Sequence, residues 1–173
     1  DSRAVRPGWL FCCVPGATTD GHDHAPAAVA AGATALLVER PLGLGVAEVL
    51  VSSVRAAMGP AAAALAGHPS DRLDVVGVTG TNGKTTTVHL LAAILDHAGR
   101  PCEVIGTLTG ARTTPEAPEL QGRLAAAVAA GRTSAAVEVS SHALDLHRVD
   151  GTRFRVAVFT NLSRDHLDHH HTM

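Results

Sequence analysis

The sequence predicts an α/β protein with mostly parallel sheets, and three observations predict it. Short apolar runs alternate with alanine-rich helical segments along the whole chain. The run Val75-Val76-Gly77-Val78 leads straight into Thr79-Gly80-Thr81-Asn82-Gly83-Lys84-Thr85-Thr86, a glycine-rich turn. Beyond the turn, Val88, Leu91, Ala92 and Leu95 fall at i, i+3, i+4 and i+7, the spacing of one helix face. Strand, tight turn and helix in that order begin a crossover unit whose next strand lies parallel to the first.

Residues 1–70 read as a small N-terminal α/β domain. Trp9 to Val14, Ala35 to Val38 and Val46 to Val51 are predicted strands. Pro26 to Ala31 is a short helix, with proline near its start and Gly32 as its stop. A longer helix from about Ser53 to Ala66 contains Gly59-Pro60 and is expected to kink or divide there, because proline donates no N–H and crowds the preceding turn. Gly67-His68-Pro69-Ser70-Asp71 is a turn-rich boundary.

Residues 71–173 form the second predicted domain, built on the strand, turn and helix described first. That helix runs from Thr85 toward Gly99 and Pro101. Cys102 to Thr107 is the next strand, and Ala111 to Pro118 a polar loop carrying Thr113-Thr114-Pro115-Glu116. A helix from about Glu119 keeps Leu120, Leu124, Ala127 and Val128 in helical spacing and ends at Gly131. Ser134 to Val139 and Arg155 to Phe159 are strands. The chain opens on Asp1 and stops at Met173 just after a dense polar cluster, so an internal fragment is expected, with the second domain truncated.

At 173 residues, 46% hydrophobic and 17% charged, the chain has enough apolar material for a real core. A net charge of -2 and the lack of any lysine- or arginine-rich run argue against nucleic acid as a partner. Apolar stretches are broken by Gly or Pro short of a spanning length and no signal peptide opens the chain, so no membrane insertion and a cytoplasmic location are expected. A monomer is expected as well. Cys12, Cys13 and Cys102 form no C-x-x-C pair and read as buried, reduced thiols.

The glycine-rich turn has the chemistry of a phosphate cradle. Its glycines let successive N–H groups point at an anion, Lys84 can reach terminal phosphates, and the Thr85 hydroxyl can ligate Mg²⁺. The spacing departs from G-x-x-x-x-G-K-[ST], since Val78 stands five before Gly83 and the glycines are at 77 and 80. ATP and GTP are both open on these residues. In such a sheet ligands gather beyond the carboxyl ends of the strands, so the acid ending Ala135-Ala136-Val137-Glu138 is the candidate Mg²⁺ carboxylate. Ser140-Ser141-His142 lacks a G-x-S-x-G elbow, and on an extended segment neighbouring side chains point opposite ways. Hydrogen bonding to substrate is the better use of those hydroxyls. Arg148 is a further anion-binding candidate. In Arg164-Asp165-His166-Leu167-Asp168-His169-His170-His171, consecutive histidines cannot all face one ion, so zinc is a poor fit, and His166 assisting a nucleotide-bound Mg²⁺ is more economical.

Gly77-Val78-Thr79-Gly80-Thr81-Asn82-Gly83-Lys84-Thr85, Glu138-Val139-Ser140-Ser141-His142 and Thr160-Asn161-Leu162-Ser163-Arg164-Asp165-His166-Leu167-Asp168 resemble the Mur ligases, which use ATP to add amino acids to the peptidoglycan precursor. Asp1-Ser2-Arg3, Gly8-Trp9-Leu10-Phe11, Asp20-Gly21-His22, Thr113-Thr114-Pro115 and His147-Arg148-Val149 extend the likeness over essentially the whole chain. Its closest form is the member that adds the third stem residue, diaminopimelate or lysine, to UDP-N-acetylmuramoyl-L-alanyl-D-glutamate. The resemblance implies an ADP-forming ligase with Lys84, Glu138 and His166 as catalytic residues and Gly80, Thr81, Asn82, Gly83, Lys84, Thr85 and Thr86 on the ATP phosphates. It implies Thr85, Glu138 and His166 on Mg²⁺, Ser2, Ala17, Thr18 and Thr19 at the uridine end of the substrate, and Thr113, Thr114, Ser140 and Arg148 at its muramoyl-peptide part.

The implied substrates are the UDP-N-acetylmuramoyl-dipeptide and a diamino acid, joined through an acyl phosphate. The family's carbamylated lysine and its amino-acid-selecting third domain are expected to lie beyond Met173, so the isolated chain is expected to bind nucleotide weakly without completing ligation. Another Mur-type ligase and a non-catalytic nucleotide-binding module are the alternatives.

Overall fold

The structure, a computed structural model, describes residues 2–16 and 18–173. It divides into two compact units, Asp1–Met58 and Gly59–Met173. In the first unit, β1 (Leu10–Cys12), β2 (Ala35–Val38) and β3 (Ala47–Leu50) form a parallel sheet in the order β1-β2-β3, with α1 (Ala25–Ala30) between β1 and β2 in the chain. Leu36 and Val38 of β2 pack with Phe11, Cys13, Ala25, Ala28 and Ala33 into one core. Trp9, predicted inside the first strand, lies before it and is exposed, with the Arg6 guanidinium over its ring at 5.9 Å.

Helix α2 (Val54–Leu65) is continuous through Pro60, so the expected division at Gly59-Pro60 does not occur. Gly59 has a different use. A β-carbon there would overlap the backbone of Asp150, and Gly151 packs against the Gly59 carbonyl in return. Burial of Gly59 and Ala63 offsets the one bond that Pro60 cannot donate.

The second unit contains β4 (Asp74–Thr79), α3 (Lys84–His97), β5 (Cys102–Ile105), α4 (Ala117–Ala129), β6 (Ser134–Glu138), α5 (Ser141–Asp145), β7 (Val156–Phe159) and α6 (Leu167–His170). Its sheet is parallel throughout, in the order β5-β6-β4-β7. Alternation along the strands sends Val75, Ile105, Ala135 and Val137 to one face, where Leu120, Leu124 and Ala127 of α4 cover them. Val78, Cys102 and Ala136 go to the other face, under Val88 and Ala92 of α3. Every residue of β6 is buried, as its unbroken Ser-Ala-Ala-Val-Glu run requires of a strand covered on both faces.

Three local differences from the sequence reading have physical causes. Helix α4 begins at Ala117, two residues earlier than expected, because Pro118 sits in its first turn, where a missing N–H costs nothing. Ser140-Ser141-His142 is not extended: Ser140 caps α5 by accepting the Ala143 N–H at 3.2 Å. The polar cluster after β7 forms the short helix α6, which follows His166 in a left-handed conformation at φ 52°. Among the described residues no helix is long and apolar enough to cross a membrane.

Candidate nucleotide site

Register places Val78 of β4 beside Glu138 of β6, and Thr79 beside Phe159 of β7, so three strands deliver their carboxyl ends to one edge of the sheet. At that edge Gly80 turns the chain at φ 127° and Gly83 turns it again at φ 88°, directly before α3. Both angles favour glycine, and at Gly80 a β-carbon would also overlap the Thr160 hydroxyl and the Asn161 backbone. The glycine at 80, one part of the departure from the general phosphate-loop spacing, thus has a cause. The glycine at 80 is needed where the segment after β7 crosses the loop.

That segment grips the loop closely. Asn161 accepts the Asn82 N–H at 3.1 Å and donates to the Asn82 carbonyl at 3.0 Å. The Thr160 hydroxyl lies 2.7 Å from the same carbonyl, and the Thr81 hydroxyl accepts the Ser163 N–H at 2.9 Å. Lys84 reaches back across the turn, its Nζ donating to the Gly80 carbonyl at 2.6 Å and the Thr81 carbonyl at 3.0 Å. Its ammonium is therefore held at the mouth of the loop.

Beneath the loop, Glu138 is 1% exposed. The Thr85 hydroxyl donates to Oε2 at 2.8 Å, the Thr107 N–H to Oε1 at 2.9 Å and the Thr107 hydroxyl to Oε2 at 3.3 Å. A buried carboxylate survives only with such partners. The two residues expected to serve Mg²⁺ from the loop and from β6 are thus in direct contact. His166 is placed differently, against the His142 ring with centroids 4.6 Å apart. His169 stacks on His142 at 4.1 Å, and burial together with His169, His166 and His170 pushes the His142 imidazole below its usual range. Among the described residues no three His, Cys, Asp or Glu side chains converge to form a metal cage. Mg²⁺ needs none, since it keeps water ligands and commonly takes one or two protein groups plus phosphate oxygens.

An open cleft of about 600 Å³ fronts the loop, and Gly80, Thr81, Lys84, Ser140, Asp165 and His166 contribute to its lining. Of the residues expected at the muramoyl-peptide part of a substrate, Ser140 alone is in that lining. Thr114 is buried, its hydroxyl donating to the Glu138 carbonyl at 2.8 Å and accepting the Ser140 N–H at 3.0 Å, so it braces the end of β6. Thr113 meets the Thr107 hydroxyl at 3.0 Å. Arg148 donates to the Thr114 carbonyl at 3.3 Å and pairs with Glu116 at 3.0 Å, while its buried Nε has no hydrogen-bond partner among the described residues.

In the first unit, Ser2 lies in a short helical turn, Ser2–Ala4. Thr18 and Thr19 are exposed between Pro15 and Asp20, where Gly16 N–H bonds the Thr19 carbonyl at 3.0 Å. Ala17 lies outside the described residues. Sequence reasoning missed Thr107, which carries no motif of its own, and the grip of Thr160 and Asn161 on the loop. Their shared signal was their position just after an apolar run, and Thr160 and Asn161 also open one of the segments that carry the family resemblance.

A parallel sheet with a glycine-rich turn at the carboxyl end of one strand, and a buried acid ending the adjacent strand, defines the phosphate-loop class of α/β protein. Comparison with known proteins narrows the class. Residues 1–80 match the Mur ligase family, catalytic domain, and residues 78–173 match the Mur ligase middle domain. The chain belongs to the Mur ligase family. It is 47% identical over 184 residues to the UDP-N-acetylmuramoyl-L-alanyl-D-glutamate--2,6-diaminopimelate ligase of Geobacter metallireducens, covering 100% of this chain and 36% of that relative. A solved structure of a ligase of the same name superposes on 98% of this chain and 37% of its own, with a TM-score of 0.81 and 36% identity. The MurF ligase of Thermotoga maritima in complex with ADP superposes on 99% of this chain and 39% of its own, with a TM-score of 0.66 and 25% identity. The chain thus spans little more than a third of the length of these relatives.

Proposed function

We propose that this chain is the nucleotide-handling part of an ATP-dependent ligase that joins a diamino acid, 2,6-diaminopimelate as in the named relatives, to UDP-N-acetylmuramoyl-L-alanyl-D-glutamate. The observation that carries the reading is the 2.8 Å bond between Thr85 of the loop and the buried Glu138. It joins a phosphate-loop hydroxyl to an acid on the neighbouring strand, the donor set that suits a nucleotide-bound Mg²⁺. ADP in the Thermotoga relative supports an adenine nucleotide.

In the proposed reaction the D-glutamate carboxylate attacks the γ-phosphorus of ATP, the bond to the β-phosphate oxygen breaks, and an acyl phosphate and ADP result. The incoming amine then attacks the acyl carbon, phosphate leaves, and the amine loses a proton. The loop N–H groups bind the phosphates, and Lys84, withdrawn from the Gly80 and Thr81 carbonyls, offsets the charge on the transferring phosphoryl group. Thr85 and Glu138, with His166, would hold Mg²⁺, which supplies charge neutralisation when bound. Ser140 faces the cleft where the acceptor carboxylate must come. Ser2, Thr18 and Thr19 serve the uridine end in this reading, and Arg148 and Thr114 hold the loop that bears Thr113.

Titration of the chain with ATP tests the proposal. Wild type is expected to bind ATP more tightly with Mg²⁺ than with chelator, Lys84→Ala to lose about tenfold or more in affinity, and Glu138→Gln to lose the Mg²⁺-dependent gain. Equal affinities for wild type and Lys84→Ala would remove the reading.

A further inference from the structure

Among the described residues, two of the three donors that meet the Glu138 carboxylate come from Thr107, an exposed residue in a turn outside any helix or strand. Something must hold that turn in place. Internally it is closed by the Thr109 N–H on the Gly106 carbonyl at 3.0 Å and the Gly106 N–H on the Thr109 hydroxyl at 2.9 Å. It is also pressed onto the acid, because a β-carbon at Gly106 would overlap the Glu138 side chain.

The tie to the helix layer is Arg123 of α4. Its guanidinium donates to the Glu103 carboxylate at 2.9 Å and the Val104 carbonyl at 2.9 Å, both on β5, and to the Thr109 carbonyl at 3.3 Å. Its side chain is 22% exposed, so these bonds are largely shielded from water. One planar fork joins helix, strand and turn, which a lysine ammonium cannot reproduce.

We infer that Arg123 is a positioning residue for the Glu138 carboxylate, acting through the Gly106–Thr109 turn; this rests on the proposed Mg²⁺ role of Glu138. Without the guanidinium the turn lifts, the Thr107 N–H leaves Oε1, and Glu138 keeps only the Thr85 hydroxyl. Outer groups of this kind orient the ligands behind which they stand, and their loss typically costs about 10–100-fold in metal affinity.

The test uses Arg123→Lys and Arg123→Met in the whole chain, with Thr109→Val as a variant that leaves the arginine in place. Amide hydrogen exchange at Thr107, read without nucleotide, is expected to speed up about tenfold while Val137 of β6 keeps its protection. ATP affinity with Mg²⁺ is expected to fall about tenfold, with affinity in chelator unchanged. Unchanged Thr107 exchange overturns the inference, as does equal loss of protection at Val137 or equal loss of affinity with and without Mg²⁺. If wild type shows no Mg²⁺-dependent gain, the role proposed for Glu138 fails, while Thr107 exchange still decides whether Arg123 holds the turn.

Discussion

Asn161 holds Asn82 at both polar atoms of its backbone, accepting the N–H at 3.1 Å and donating to the carbonyl at 3.0 Å. Only one orientation of the side-chain amide satisfies both bonds, so the assignment of its oxygen and nitrogen follows from the network. The loop tip is thereby fixed by a residue 79 positions away in sequence, at the end of the neighbouring strand. A phosphate cradle works by preorganised N–H groups, and this bond pair is one source of the preorganisation.

Asn161→Asp is expected to weaken ATP binding more than Asn161→Ala. The alanine variant loses two hydrogen bonds and about tenfold in affinity, roughly 1.4 kcal/mol. The aspartate keeps an acceptor for the Asn82 N–H but sets a second oxygen against the Asn82 carbonyl, and it brings negative charge toward the phosphates. Titration of both variants at one ionic strength checks the order, and the reverse order would count against the clamp.

Two glycines should respond oppositely to alanine. Gly80→Ala meets both a φ of 127° and the Thr160 and Asn161 atoms, so a loss of about 1–3 kcal/mol and of ATP binding is expected. Gly122, inside α4, has open space where a β-carbon would stand, and Gly122→Ala should gain about 0.5–1 kcal/mol from helix propensity and a less flexible unfolded chain. Thermal denaturation of both variants measures the contrast. A Gly80→Ala protein as stable as wild type would show that the turn tolerates a side chain.

Strands were legible in the sequence wherever apolar residues ran between turn signals: Ala35–Val38 has the expected bounds and the others differ at their ends. The loop and Glu138 were legible for the same reason, since a polar residue ending a buried run marks a strand tip. What could not be read was set by contacts distant in sequence. Arg123 falls at an ordinary helix position, and its meaning appears only when α4 lies beside the Gly106–Thr109 turn. Thr114, which the resemblance assigns to the muramoyl-peptide part of a substrate, is buried against Ser140 and the Glu138 carbonyl, a contact that the loop sequence does not signal. Pro60 carries a strong local signal to break a helix, which burial along α2 overrides.

The Cys12 and Cys13 thiols should resist alkylation in the folded chain. Burial pushes each up to about 11, so few thiolates exist at pH 8. An unfolded cysteine titrates at about 8.5, so the contribution of these thiols to stability is complete below that pH and is lost as pH rises through the folded value. Mass spectrometry after iodoacetamide at pH 8 should find both unmodified in native protein and both modified in denaturant. Rapid native modification at Cys13 would contradict its burial.

Asp20 should make the first unit sensitive to acid. The His22 N–H donates to Asp20 Oδ1 at 2.9 Å, and the His22 ring lies 2.6 Å from the same oxygen. Because Nε2 of that buried ring accepts the Glu39 N–H at 2.9 Å, the proton sits on Nδ1 and points at the carboxylate. These bonds, the backbone one foremost, and then the Arg40 guanidinium at 2.9 Å hold the Asp20 carboxyl well below the usual carboxylate range. A depressed folded-state value means that the charged form stabilises the fold. That contribution is therefore complete above the unfolded value of about 3.9 and fades as pH falls through the folded one. Denaturant unfolding followed by fluorescence of Trp9, the single tryptophan in the chain, reads this unit. Wild type should exceed Asp20→Asn in stability by a constant margin from pH 7 to 5, and the margin should narrow below about pH 4. The difference between the two proteins cancels the other carboxylates, Glu48 included, whose carboxyl the Leu42 N–H also lowers. A margin that stays level down to pH 2 would mean that Asp20 contributes through shape and not through its charge.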